Sequence, residues 1–189
     1  MTALYTPTGK RLYLTHDERL AFMNAADALP REQRSLCYVM CLTGCRISEA
    51  LALPSDRVDF KAKALVFESL KKRRDGVYRA VPVPPGLLDM LELVHDLKRN
   101  RPRKAQLLWQ LGRTRAWQIV TATMKAAKIN GAHATPKGLR HGFGVHAVQS
   151  GIPLNLVQRW LGHAQLSTTA IYANAIGAEE RSIASRMWG

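Results

Sequence analysis

The hydrophobic pattern of this chain changes period once and then changes back, which restricts it to a helical domain holding one small sheet. From residue 15 to residue 53 the apolar side chains recur at helical spacing. Thr15-His16-Asp17-Glu18 has capping-box form, Thr at the N-cap and Glu three residues on, and predicts a helix to about residue 29. A second helix is expected over residues 31–42, broken by Gly44, and a short third over 47–53, stopped by Pro54. The pattern then turns strand-like. Residues 58–60, 64–69 and 77–83 read as three short strands, the last two joined around Asp75-Gly76. Helical spacing returns after Pro85 with Leu87, Leu88, Leu91, Val94 and Leu97, and again over residues 114–128, which Asn130-Gly131 is expected to end. Residues 98–104 form a basic connection. Pro136 suits the first turn of a helix ending at Gly151, and Pro153 opens another reaching Leu161. Residues 167–175 make a short helix carrying Tyr172, and residues 178–188 a terminal one. The expected fold class is mainly α with a small antiparallel three-stranded sheet.

At 189 residues the chain is long enough for one domain with a real core. Residues 1–13 read as an N-terminal arm and residues 14–189 as the domain. No run approaches the ~18 apolar residues of a membrane span, and no charged leader precedes an apolar stretch. The expectation is therefore a soluble protein of the cytoplasm. Charge is the sharper constraint: 28 Lys and Arg against 14 Asp and Glu give a net charge of +14. Such a balance favours polyanionic partners through steering and counterion release. Nucleic acid fits, and charge alone leaves a ribosome, an anionic membrane or an acidic protein open. Cys37, Cys41 and Cys45 follow one another at intervals of four, which is expected to stack them on one helix face; without paired Cys/His ligand spacing they read as small buried apolar groups.

Arg46, Arg140, His163 and Tyr172 stand out as candidates for chemistry. Each also has a plain structural reading. Arg46 can pair with Glu49, Arg140 can be an ion-paired charge, His163 can cap a helix, and Tyr172 can be a core residue with its hydroxyl satisfied. Together they offer two guanidiniums, an imidazole and a phenol, which suffice to hold one phosphate diester and attack it.

Three motifs in order carry a family resemblance: Thr43-Gly44-Cys45-Arg46-Ile47-Ser48-Glu49-Ala50-Leu51, Thr135-Pro136-Lys137-Gly138-Leu139-Arg140-His141, and Leu161-Gly162-His163 with Ser167-Thr168-Thr169 and Ile171-Tyr172. The chain resembles the tyrosine recombinases, the family of phage integrases and Xer-type recombinases, from about Leu14 to its C-terminus. The resemblance implies the catalytic-domain fold of that family and a reaction needing neither metal nor ATP nor any other cofactor. Tyr172 would attack a DNA phosphodiester, forming a 3′-phosphotyrosine and expelling a 5′-hydroxyl. Arg46 and Arg140 would hold the non-bridging oxygens and His163 would add a hydrogen bond. A hairpin lysine, Lys71 or Lys72 with Lys71 favoured, would protonate the leaving oxygen, while Lys72, Arg73 and Arg74 would contact DNA. Glu49 would support the site structurally. Implied partners are double-stranded DNA carrying specific sites and further copies of the chain in a homotetramer, without a membrane, at a bacterial nucleoid. The apolar tail residues Ile176, Ile183, Met187 and Trp188 would dock either on a neighbouring subunit or on their own core.

Two departures qualify the resemblance. The residue three before the second arginine, usually a histidine that helps remove the tyrosine's proton, is Lys137. A lysine can donate to phosphate but serves as a base only with a lowered pKa, which desolvation and the neighbouring arginines could supply, so Lys137 stands among the expected catalytic residues and activity is expected to survive. His133 reads as a loop histidine, and His141 and His146 as structural. Larger family members also carry a separate N-terminal DNA-clamping domain, so the chain is either a small recombinase, like the fimbrial-switch invertases, or part of a longer protein. Integration, excision, inversion and resolution all remain open. A DNA-binding regulator that keeps the fold without the reaction is one rival reading, and an enzyme like the type IB topoisomerases is another.

Overall fold

The computed structural model describes residues 3–69, 76–98, 105–173 and 187–188. Helix α1 (His16–Ala26) starts at the expected capping box: the Thr15 side chain accepts from Glu18 N–H, and the Glu18 carboxylate accepts from Thr15 N–H at 2.8 Å. Helix α2 (Arg31–Thr43) ends at Gly44, whose φ of 61° is left-handed. A Cβ there would also meet the Phe143 ring at 2.5 Å, so both conformation and space demand glycine. Helix α3 (Ile47–Leu51) follows at once and is shorter than the expected 47–53.

The sheet is antiparallel in the order β1-β2-β3, formed by β1 (Val58–Asp59), β2 (Ala64–Glu68) and β3 (Tyr78–Pro82). Leu65 faces Val81 and Phe67 faces Arg79 across the β2–β3 pair. Along β3, Arg79 and Val81 turn inward while Tyr78 and Ala80 turn out. Helices α4 (Pro85–His95) and α5 (Arg113–Ala126) complete the larger core with α1 and α2. α5 stops short of the expected Asn130-Gly131 because Lys128 already adopts a left-handed φ of 58°. Cys37, Cys41 and Cys45 are all buried and free, and Cys45 lies beyond the end of α2. Burial pushes the thiol of Cys37 up to about 12 and that of Cys45 to about 11, so both remain thiols at neutral pH.

The last third builds a smaller second core. Helix α6 (Pro136–Gln149) takes Thr135 as N-cap and Pro136 in its first turn, as expected. Helix α7 (Leu154–Leu161) begins after Pro153, and α8 (Ser167–Ala170) is only four residues long. Tyr172 therefore sits in the turn after α8 and not within a helix running to residue 175. The expected helix over 178–188 lies largely outside the described residues, as do Ile176 and Ile183; Met187 and Trp188 are exposed. Phe143, Val145, Val148, Val157, Leu161 and Tyr172 pack together, with Leu4 from the N-terminal segment. That segment turns at Gly9 and returns, Leu12 N–H donating to Leu4 C=O. No helix among the described residues is long and apolar enough to cross a membrane.

α6 is the pivot between the two cores, packed on α1, α2 and α7. It tolerates three glycines because neighbours come too close for side chains. At Gly142 an added Cβ would lie 2.7 Å from the Leu14 carbonyl oxygen, and Leu14 N–H itself donates to Gly138 C=O. Gly142→Ala should therefore destabilise by about 1–3 kcal/mol through overpacking. An exposed helical glycine would instead gain ~1 kcal/mol from alanine. Urea unfolding midpoints give the sign.

Glu18 ties the N-terminal segment to the loop before α6. It pairs with Arg11, at 2.8 Å through Nη2, and with His133 Nε2 at 3.1 Å. The Arg11 hydrogen bonds hold its carboxyl down at about 2, from an ordinary value of 4.5. A depressed carboxylate stabilises the fold above its unfolded value and stops doing so as pH falls through the folded one. Wild type should thus lose stability relative to Glu18→Gln between about pH 4.5 and about pH 2, read by thermal melts across that window.

Candidate active site

Arg140 is where the three motif segments meet. Its guanidinium is buried and donates from Nη1 to Gly44 C=O at 2.7 Å and from Nη2 to Leu161 C=O at 2.6 Å. Both acceptors belong to helix C-termini, α2 and α7, whose last carbonyls have no partner within the helix and carry partial negative charge. The chain turns at Gly44 into Arg46 and at Gly162 into His163, so one side chain brings both residues to its own flank. Burial pushes the Arg140 pKa down to about 10, which still leaves it charged at neutral pH. Among the described residues, two of its five N–H donors are used on these carbonyls, which leaves three for another acceptor.

Arg46 precedes α3 and is held from behind by Glu49. Its Nη1 donates to Glu49 Oε1 at 2.7 Å, and its backbone N–H donates to Oε2 at 2.8 Å. Glu49 is buried and takes a second guanidinium, Arg79 from β3, with Nη2 at 2.6 Å from Oε2. Burial opposes the charge on Glu49, but the hydrogen bonds and charges of Arg79 and Arg46 outweigh it and hold the carboxyl below its ordinary range. Arg79 Nε also donates to Trp160 C=O at 2.7 Å, which links the hairpin strand to the end of α7. Sequence reasoning missed Arg79. The available signal was its place on the inward face of β3, alternating with Val77 and Val81, where an apolar residue is the rule.

His163 and Tyr172 stack, with ring centroids 6.1 Å apart and planes 15° from parallel. His163 Nδ1 lies 2.9 Å from the Thr169 hydroxyl, so α8 positions the imidazole. Burial, then the charges of Arg140 and Arg46, push its pKa down to about 3 and keep it neutral. Tyr172 is fully buried, its ring against Gly144, where a Cβ would come within 2.6 Å of Cζ. Burial raises its phenol to about 12 against the lowering effect of Arg140 and Arg46. Its hydroxyl lies 3.1 Å from Nδ1 of His141. His141, read from sequence as structural, thus touches the candidate nucleophile.

A cleft of about 950 Å³ opens over this group, lined by Arg46, Arg113, Lys137, Arg140, His141 and His163. Of the residues expected to carry chemistry, Arg46, Lys137, Arg140 and His163 share this wall, and Tyr172 lies directly behind it. Lys137 makes no hydrogen bond to Tyr172. Lys71, Lys72, Arg73 and Arg74 lie outside the described residues. His133 is engaged with Glu18, and His146 stacks on His16 at 4.9 Å. Paired guanidiniums beside a neutral imidazole make a cationic wall suited to a phosphate diester, with the buried phenol packed against His163.

Residues 12–178 match the model of the phage integrase family. Tyrosine recombinase XerD of Mycobacterium leprae is 33% identical over 193 aligned positions, covering 90% of this chain and 60% of that protein. XerH site-specific recombinase, solved bound to a palindromic difH substrate in a post-cleavage complex, superposes with a TM-score of 0.77 at 24% identity, over 100% of this chain and 57% of its own. The catalytic domain of bacteriophage HP1 integrase superposes with a TM-score of 0.67 at 22% identity, covering 92% of this chain and 93% of its own. At those identities the superpositions establish the fold, that of a tyrosine recombinase catalytic domain. The chain spans about three fifths of the XerD relative's length. With its family match running through all three motifs, the chain belongs to the phage integrase family.

Proposed function

We propose that this chain is the catalytic domain of a site-specific recombinase that cuts and rejoins double-stranded DNA through a 3′-phosphotyrosyl intermediate. The observation that supports this reading is the Arg140 junction: its guanidinium holds the carbonyls of Gly44 and Leu161, and Arg46, Arg140 and His163 line one cleft. In this reading, the free N–H groups of Arg46 and Arg140 bind the non-bridging oxygens and stabilise charge on the pentacoordinate phosphorus. A guanidinium fork suits this better than an ammonium because it binds two oxygens at once and stays charged. Neutral His163 contributes one further hydrogen bond.

Tyr172 attacks the phosphorus, the P–O5′ bond breaks, and the 5′ oxygen takes a proton from Lys71 or Lys72. The covalent link conserves the bond energy, so rejoining to a new partner strand requires no nucleotide. Because Tyr172 is fully buried, attack requires the phenol to be uncovered when DNA occupies the cleft. Lys72, Arg73, Arg74 and Lys137 add phosphate contacts, and the net charge of +14 favours DNA with marked salt dependence. Recombination of two sites calls for an assembly of four copies, and DNA as substrate implies action at the nucleoid.

Nicked suicide duplexes, which trap the covalent intermediate, provide the test. Wild type should yield a protein–DNA adduct stable in denaturing gels, and Tyr172→Phe should yield none. Arg46→Ala should slow adduct formation by about 10²–10³-fold, the size expected for removing one donor to the developing charge. Wild type that binds duplex DNA and forms no adduct would point to a regulator of the same fold. Relaxation of arbitrary supercoiled plasmid by a monomer would point to topoisomerase chemistry.

A further inference from the structure

We infer that His141 is the catalytic residue that accepts the Tyr172 proton, the task that Lys137 is not built to perform. The inference rests on the proposed reading of Tyr172 as nucleophile. Its geometric basis is the 3.1 Å approach of His141 Nδ1 to the Tyr172 hydroxyl, the one side-chain hydrogen bond of this phenol among the described residues. In the proposed tautomer the hydroxyl donates and Nδ1 accepts. In that tautomer the ring proton resides on Nε2, a buried atom with no partner among the described residues. A structural histidine would be expected to use both nitrogens, whereas this one keeps its acceptor for the phenol alone.

Lys137 lines the same cleft, one helical turn before His141, and makes no hydrogen bond to Tyr172. Its charge acts on His141 instead. Burial first, then Lys137 and Arg140, push the imidazole down to about 4, so it stands neutral and able to accept. The Tyr172 phenol, raised to about 12, keeps its proton while the cleft is empty. A bound phosphate places negative charge against Arg140 and Lys137, offsets the field that depresses His141, and strengthens it as a base. Proton transfer is thereby tied to the presence of DNA.

The step balances. The Tyr172 Oη–P bond forms as P–O5′ breaks, the phenol proton passes to His141 Nδ1, and the 5′ oxygen takes its proton from the hairpin lysine. On rejoining, the 5′-hydroxyl returns its proton to that lysine, its oxygen attacks phosphorus, and His141 gives its proton back to Tyr172.

The test uses the whole chain and a pool of nicked duplexes of randomised sequence, with adduct formation followed in single turnover against pH. His141→Gln and His141→Asn should slow the covalent step by about 100-fold or more, the usual size of general-base assistance. Affinity for the pool and the melting temperature should change little. Rates of these variants should climb with pH as hydroxide replaces the missing base, narrowing the gap to wild type. Adduct formation at the wild-type rate or faster in both variants would overturn the inference, the faster outcome identifying His141 as a latch on Tyr172. A loss carried by Lys137→Gln with His141→Gln unaffected would also overturn it. Absence of adduct from wild type itself would instead remove the reading of Tyr172 as nucleophile, and this inference with it.

Discussion

The two hydrogen bonds from Arg140 to the carbonyls of Gly44 and Leu161 are the constraint on which the rest of the site depends. They join segments 96 and 21 residues away in sequence, and each acceptor is a helix-terminal carbonyl that needs a donor. Removing the guanidinium would leave those groups unsatisfied in a buried setting and release the turns that carry Arg46 and His163. A residue that lines the cleft is therefore also the fastener of the wall it stands in. A lysine could satisfy one carbonyl at most with comparable geometry, since it lacks the planar fork.

Charge is managed by the same economy. Arg46, Arg79 and Arg140 crowd one small volume, and Glu49 is the carboxylate that makes the crowding tolerable. A buried carboxylate is stable only when its oxygens are fully engaged, and here two guanidiniums and a backbone N–H engage them. Burial first, and then the excess positive charge, keeps both nearby imidazoles, His141 and His163, unprotonated. The wall is thus cationic through its guanidiniums while its histidines stay neutral hydrogen-bonding groups.

Local chemistry made much of the fold legible. The Thr15–Glu18 capping box, Gly44, Pro136 and Pro153 all mark helix boundaries that recur in the structure, because caps and breakers act within a few residues. The three strands are also in place. Where the reading drifted, the cause was local backbone geometry without a sequence marker: Lys128 turns left-handed before Asn130-Gly131, and α8 stops after four residues. Arg79 and His141 were not legible as site residues. Arg79 matters through partners 30 and 81 residues away, and His141 through one 31 residues away, distances at which spacing carries no information.

The sequence by itself determined the element order, the basic character and the family, since periodicity, composition and motif order are properties of the chain read in line. It also singled out Arg46, Arg140, His163 and Tyr172, whose residue types suit one phosphate diester. Only the tertiary structure decided how they meet. Arg140 reaches its partners because helix C-termini converge on it, Glu49 because β3 delivers Arg79, and Tyr172 because Gly144 leaves room for its ring. The phenol's hydrogen bond to His141 is likewise a product of packing between α6 and the turn after α8. Hydrogen bonds and burial are set by distances in space, and those exist only once the helices have packed.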